Sequence, residues 1–228
     1  MGEYTLAIEG STYAGSVVLL GDYEVLAERT LADSGTPSRA GREERVLPSV
    51  AECLEEARVE VKQIARIVCG AGPGSFTSLR ISASVGKGIA VGIGCSMYSV
   101  SSLLLSIAST PQAMTDGGLF LSVLPAMRDE WFALLAEVED GILAAKGDPF
   151  IVGETQLAET AQQRGAQLLG PRQAINATPH ARGVATLLDQ ILASAPVQIE
   201  TWEPDYGRLA EAQVKWEAAH GRPLGAGT

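Results

Sequence analysis

Apolar and polar positions come in short strand-length runs at the start of the chain and then switch to a helical period. Residues 4–8 read as a strand of mixed polarity, a Gly-Ser-Thr turn follows, and 15–20 and 24–29 read as strands joined at Gly21-Asp22. Short connections of this kind predict an antiparallel meander. Gly, Ser, Pro and charge dominate 33–42, which predicts a loop. From 43 to 58, Val46, Leu47, Val50, Ala51 and Leu54 lie at helical spacing and form one apolar stripe. The run 64–69 predicts a buried strand, 75–94 a helix and 97–100 a further short strand. The predicted order is three antiparallel strands, helix, strand, helix, strand.

The second half carries a weaker version of the same pattern. Residues 101–109 predict a helix, and 119–124 and 131–137 predict strands. Glu139-Asp140-Gly141 predicts a hairpin turn into a strand at 142–145. Residues 155–164 and 180–195 predict helices, with a short strand at Leu168-Leu169 between them; Val184, Leu187, Leu188, Ile191 and Leu192 form the core face of the later helix. The expectation is an α/β chain with an N-terminal lobe at 1–100 and a shortened second copy at 101–228.

Within the 75–94 helix, small residues recur every four positions at Ser78, Ser82, Gly86, Ala90 and Gly94, and a second stripe holds Ser84, Gly88 and Gly92. Each interior Gly costs about 1 kcal/mol relative to Ala, so close packing is needed to compensate. Two stripes predict two close neighbours. Both neighbours are internal, or one is another subunit. The second alternative makes Ser78, Leu79, Ser82, Val85, Gly86, Ile89 and Ala90 candidate interface residues.

The turn before that helix, Gly70-Ala71-Gly72-Pro73-Gly74-Ser75, joins a strand end to a helix start. Ser75 is expected to cap the helix, and the first-turn N–H groups make the turn a candidate anion site. Known phosphate loops do not fit: Walker A needs Lys after its last Gly, and the dinucleotide fingerprint needs Gly or Ala at Thr77. A tight turn for close helix–sheet packing remains the other reading.

Composition narrows the chemistry. The 228 residues are 46% hydrophobic and 19% charged, as expected of a globular core, with a net charge of −10. That charge argues against direct nucleic-acid binding by this chain alone. The densest basic stretch, 39–45, also holds Glu43 and Glu44. Cys53, Cys69 and Cys95 show no CxxC spacing, so neither a disulfide framework nor a zinc site is expected, and a reducing cytoplasm is. No signal peptide or bilayer-spanning run is expected. His180 and His220 are too far apart in sequence to suggest a metal site. Ser75 lacks the Gly-x-Ser-x-Gly elbow of a hydrolase nucleophile.

The literal string Gly72-Pro73-Gly74-Ser75-Phe76-Thr77-Ser78-Leu79-Arg80-Ile81-Ser82 closely resembles the GPGSFTGLRIG stretch of the TsaB (YeaZ) family. Leu6-Ala7-Ile8-Glu9-Gly10-Ser11-Thr12, Arg45-Val46-Leu47-Pro48 and Glu203-Pro204-Asp205-Tyr206-Gly207-Arg208 resemble further elements of that family. The resemblance implies an actin-like ATPase (ASKHA, ribonuclease H-like) fold with a reduced second lobe. It implies a non-catalytic cytoplasmic scaffold that dimerises alone through the 43–58 and 75–94 helices. It also implies pairing with a TsaD-type catalytic subunit and a TsaE-type ATPase, in support of threonylcarbamoyl transfer to adenosine 37 of tRNA. Transfer RNA would be held only through the complex. No cofactor is implied for this chain alone; ATP or ADP belongs to the complex.

Actin-like ATPases place an acid and a hydroxyl-rich hairpin where Glu9, Ser11 and Thr12 stand, so these are the candidate cofactor contacts. Glu for Asp would shift a metal-bound water by about an ångström. Pro125-Ala126-Met127-Arg128 stands where the family often has Asp-Ala-Arg-Arg. The alternatives are an ATP-dependent small-molecule kinase of the same superfamily and a glycoprotease-like hydrolase.

Overall fold

The computed structural model describes residues 3–31 and 45–207. The loop expected at 33–42, the first residues of the helix expected from 43, Arg208 and His220 lie outside that range. Strands β1 (Tyr4–Glu9), β2 (Ser16–Gly21) and β3 (Glu24–Thr30) form the expected antiparallel meander. Helix α1 (Val46–Ala57) leads to β4 (Ile64–Gly70), which pairs parallel with β1. Helix α2 (Phe76–Ile93) crosses over to β5 (Ser96–Val100), parallel to β4. The sheet order is β3-β2-β1-β4-β5.

The chain continues through α3 (Ser102–Ala108) and α4 (Pro111–Asp116) into β6 (Gly118–Pro125), β7 (Glu130–Glu139), β8 (Ile142–Ala145) and β9 (Phe150–Gly153). Then follow α5 (Leu157–Gln163), β10 (Gln167–Gly170), β11 (Ile175–Asn176) and α6 (Gly183–Leu192). The second sheet runs β8-β7-β6-β10-β11 when taken from its β8 edge, with β9 also paired to β7. Its pairings are antiparallel, antiparallel, parallel, parallel, the same series as in the first sheet. The repeat is therefore one of topology. It is cut short after β10, where residues 171–174 replace the crossover helix that α2 supplies in the first sheet.

Alternation along the central strands builds the layers. Leu6, Ile8, Ile67 and Cys69 pack with Val46, Val50 and Cys53 of α1 and Ala90 of α2. Ala7 and Val68 point the other way, into a core that also holds Leu105 and Ile107 of α3, Leu187 and Ile191 of α6, and Phe120 and Ala136 of the second sheet. Helices α3 and α6 thus lie between the two sheets. Leu121, Val123 and Trp131 pack under Leu157 and Ala161 of α5.

Several boundaries differ from expectation. The last helix starts at Gly183, not 180, because the Ala181 N–H is drawn to the Ser16 hydroxyl at 2.8 Å. The helix expected at 155–164 opens as a 3-10 turn at Glu154–Gln156. Helix α4 and strands β9 and β11 are too short to show a period in sequence. The Asp140-Gly141 turn has both φ angles positive, at 50° and 77°, as a two-residue hairpin turn requires.

Candidate functional site

Glu9 ends β1 with its side chain fully buried. The Ser11 N–H donates to Glu9 Oε1 at 2.5 Å, and the Ser102 hydroxyl, at the start of α3, donates to Oε2 at 2.9 Å. Gly70 at the end of β4 leaves room for this carboxyl, since a Cβ there would overlap Glu9 Oε2. Burial pushes the Glu9 carboxyl above its ordinary range, against the lowering effect of the two hydrogen bonds. The hydroxyls of Ser11, Thr12, Ser82 and Ser101 are buried nearby in the fold and have no hydrogen-bond partner among the described residues.

The Gly-rich turn closes over this hairpin. Ser75 N–H donates to the Ser11 carbonyl at 2.7 Å, and Gly74 sits so close to Ser11 that a side chain would collide with it. Ala71 N–H donates to the Val100 carbonyl and Gly72 N–H to the Ser102 hydroxyl. These three donors of the turn face protein. Ser75 occupies the N-cap position of α2 without a side-chain cap; its hydroxyl pairs with that of Ser78 at 3.0 Å, a partner local enough to outcompete the backbone. The Gly72–Pro73 peptide is cis.

Two segments far apart in sequence meet here. Asp205 N–H donates to the Ala71 carbonyl at 2.7 Å, and Gly72, with φ at 87°, approaches the Asp205 carbonyl closely. The Tyr206 and Phe76 ring centres lie 4.5 Å apart, and the Arg80 guanidinium lies 5.4 Å from the centre of the Phe76 ring. Thr77 and Arg80 are exposed. Sequence reasoning singled out both segments but not their contact, nor Ser102 as the clamp on Glu9.

The small stripe of α2 faces inward. Ser78, Leu79, Ser82, Gly86 and Ala90 are buried by the chain's own sheet and hairpin, and Val85 and Ile89 are half-buried in the same core. A Cβ on Gly86 would overlap Cys69 Sγ, and one on Gly10 would overlap Ser82 Oγ. This corrects the expectation that these residues meet another subunit: close helix–sheet packing consumes the stripe. The second stripe is the open one. Gly88 and Gly92 have open space where a side chain would go, Ser84 is exposed, and Val91 is 67% exposed. Leu47, 58% exposed, and Ala51 lie on the outer side of α1.

Other candidate chemistry is quiet. His180 Nδ1 accepts from the Arg182 N–H at 3.1 Å, and burial beside Arg182 pushes the ring down to about 4. Burial pushes the Cys53 thiol up to about 11 and Cys69 to about 12, which keeps both protonated. Among the described residues no group of His, Cys, Asp and Glu has the arrangement of a metal site. No described helix is long and apolar enough to cross a membrane.

Comparison with known proteins gives a consistent result. The family model "TsaD: tRNA N6-adenosine threonylcarbamoyltransferase" matches residues 24–124. The tRNA threonylcarbamoyladenosine biosynthesis protein TsaB of Bacillus subtilis is 26% identical over 92% of this chain and 96% of its own length. TsaB of Escherichia coli is 34% identical over 43% of this chain and 40% of its own. The matches support one family, TsaB (YeaZ). The fold agrees with the structure of YeaZ from Pseudomonas aeruginosa, at a TM-score of 0.71, 22% identity, and coverage of 90% of this chain and 99% of that one. A second structure, of a protein with similarity to peptidase YEAZ from the same organism, has a TM-score of 0.73 at 23% identity, over 90% of this chain and all of that one. The string at 72–82 that resembles TsaB and the segment at 203–207 meet in one structural junction.

Proposed function

We propose that this chain is a non-catalytic subunit that supports threonylcarbamoyl transfer to adenosine 37 of tRNA by a TsaD-type partner. The names of its relatives support the pathway. The observation that carries the non-catalytic part is the state of Glu9. Its carboxyl is buried and holds the Ser11 N–H, and the hairpin is shut by the Ser75–Ser11 backbone bond. An acid placed to bind metal or activate water needs access to them, and Glu9 has none in this arrangement.

The repeated strand order supports an actin-like fold of two lobes, at 1–100 and 101–228, with the second reduced. For homodimer and partner contact the open surface is the outer side of α1 and α2, around Leu47, Ala51, Ser84, Gly88 and Val91. Helices that expose small residues permit close backbone approach, and apolar residues beside them supply area to bury. The net charge of −10 leaves tRNA to the partners. A TsaE-type ATPase, nucleotide in the complex, and a cytoplasmic location complete this reading.

Gly88→Arg tests it, because the site has room and the change removes an unfavourable helical Gly. The variant should fold normally, fail to co-purify with the TsaD-type subunit, and fail to restore threonylcarbamoyladenosine in cells lacking this protein. Full restoration by Gly88→Arg would sink the interface, and normal tRNA modification in the deletion strain would sink the pathway.

A nucleotide-binding kinase is the second reading, and the unpartnered hydroxyls of Ser11 and Thr12 favour it. Phosphate could reach them only after the Ser75–Ser11 bond opened. Saturable binding of ATP with Mg²⁺ by the isolated chain, abolished in Ser11→Val, would establish it over the scaffold.

A further inference from the structure

The chain passes between its two sheets twice, and both crossings lie at the β5 edge of the first sheet. Val100 of β5 leads through Ser101 into α3, and after α6 the chain returns with the Val197 N–H donating to the Met97 carbonyl of β5 at 2.8 Å. From there it runs to Gly207, which is wedged between Pro73 of the Gly-rich turn and Phe132 of β7; a Cβ on Gly207 would overlap both. Two-lobed enzymes that close on a ligand swing about short connections of this kind.

The opposite edge carries bonds that such a swing would break. The Ala181 N–H donates to the Ser16 hydroxyl of β2 at 2.8 Å, the Tyr23 hydroxyl of the β2–β3 turn donates to Asp189 Oδ1 of α6 at 2.6 Å, and Arg182 Nη2 donates to Glu28 Oε1 of β3 at 2.7 Å. Strands lie about 4.8 Å apart, so these bonds stand roughly 14–19 Å from β5. A rotation of about 10° at β5 would part them by about 3 Å, beyond hydrogen-bond reach. Between the edges the sheets share one core. Val18, Leu20 and Val68 of the first sheet and Phe120, Ala136 and Leu169 of the second belong to a single buried cluster with α3 and α6.

We infer that the two sheets form one rigid body, joined at β5 and latched at β2–β3, so the chain does not close around a ligand by a hinge motion. A swing in either direction has to break the latch and shear the shared core. The inference concerns the motion of the chain alone and holds for either reading of its function.

Spin labels on the full chain test the motion. With Cys95→Ser removing the half-buried thiol, nitroxides at Glu24→Cys and Glu139→Cys, both exposed, report the distance between the sheets. The distance distribution should be a single narrow peak, unchanged by ATP with Mg²⁺. A second peak, or a shift of more than about 3 Å with nucleotide, overturns the inference. Urea unfolding tests the latch. Trp202→Phe with Trp216→Phe leaves Trp131 of β7 as the fluorescent probe, and Trp131→Phe with Trp216→Phe leaves Trp202, which packs on the first sheet. In each variant the fluorescence and far-UV circular dichroism midpoints should coincide. Adding Tyr23→Phe with Arg182→Gln should lower both probes' midpoints together, by roughly 0.3 M or more. Separate midpoints for the two sheets overturn the single body, and a midpoint that the latch substitutions leave unmoved overturns the latch.

Discussion

Gly86 and Gly88 sit two residues apart on the same helix, with the same cost to helix formation and opposite surroundings. Replacing either by Ala recovers about 1 kcal/mol of propensity. At Gly88 nothing lies within 4 Å of the new methyl, so the full gain should appear. At Gly86 the methyl overlaps Cys69 Sγ, which belongs to a fully buried side chain on β4, with Ile67 Cγ2 at 3.5 Å and Met97 Cε at 3.8 Å. Forcing an extra methyl into such packing costs about 1–3 kcal/mol. Gly88→Ala should therefore stabilise by about 1 kcal/mol. Gly86→Ala should fall between neutral and about 2 kcal/mol destabilised, the difference between the two terms. For a chain of this size, the gap between them corresponds to roughly 2–12 °C in Tm. Urea unfolding of both variants gives the comparison directly. Adding Cys69→Ala removes the obstructing sulfur, and the double variant should recover most of what Gly86→Ala lost. If Gly86→Ala stabilises as much as Gly88→Ala does, or if Cys69→Ala gives no recovery, α2 does not pack on β4 through this glycine.

Glu9 gives a pH test. Its folded carboxyl is raised above the ordinary value of 4.5, so its contribution is present in full below that value and is lost as pH rises through the raised one. Glu9→Gln should thus gain stability relative to the parent as pH rises above 4.5, seen as converging or crossing urea midpoints; parallel curves would refute the burial described for Glu9. The thiols give a second. With Cys53 and Cys69 pushed up to about 11 and 12, half-buried Cys95 should be the first thiol labelled by a disulfide reagent in the native protein, and all three should react after unfolding. Fast native labelling of Cys69, read by mass spectrometry, would contradict its burial.

Much of the first sheet was legible in sequence because its strands and helices are long enough to show their period. The 64–69 run, followed by Gly70, reads as a buried strand, and its two sides do bury different helices. The small stripe on α2 was equally visible, but its direction was not. Small residues signal close approach without saying to what, and here Cys69 and the β1–β2 hairpin take that space. The second half was harder because β9, β10 and β11 have two to four residues each, too few for alternation to register. The clamp on Glu9 was hidden for another reason. Ser102 lies 93 positions away, and only the parallel pairing of β1, β4 and β5 brings the two strand ends together.

The bond from Asp205 N–H to the Ala71 carbonyl also bears on how the molecule is made. On a ribosome, the Gly-rich turn emerges long before its last neighbour does. The meander of β1 to β3 can form early from contacts close in sequence, whereas β4 must wait to find β1 across more than fifty residues of intervening chain. The turn then stays without Tyr206 and Asp205 until almost all described residues have been synthesised. Non-local closures of this kind are slow and leave apolar surface uncovered in the meantime. The Phe76 ring therefore goes without its Tyr206 neighbour until nearly the last described residue is made.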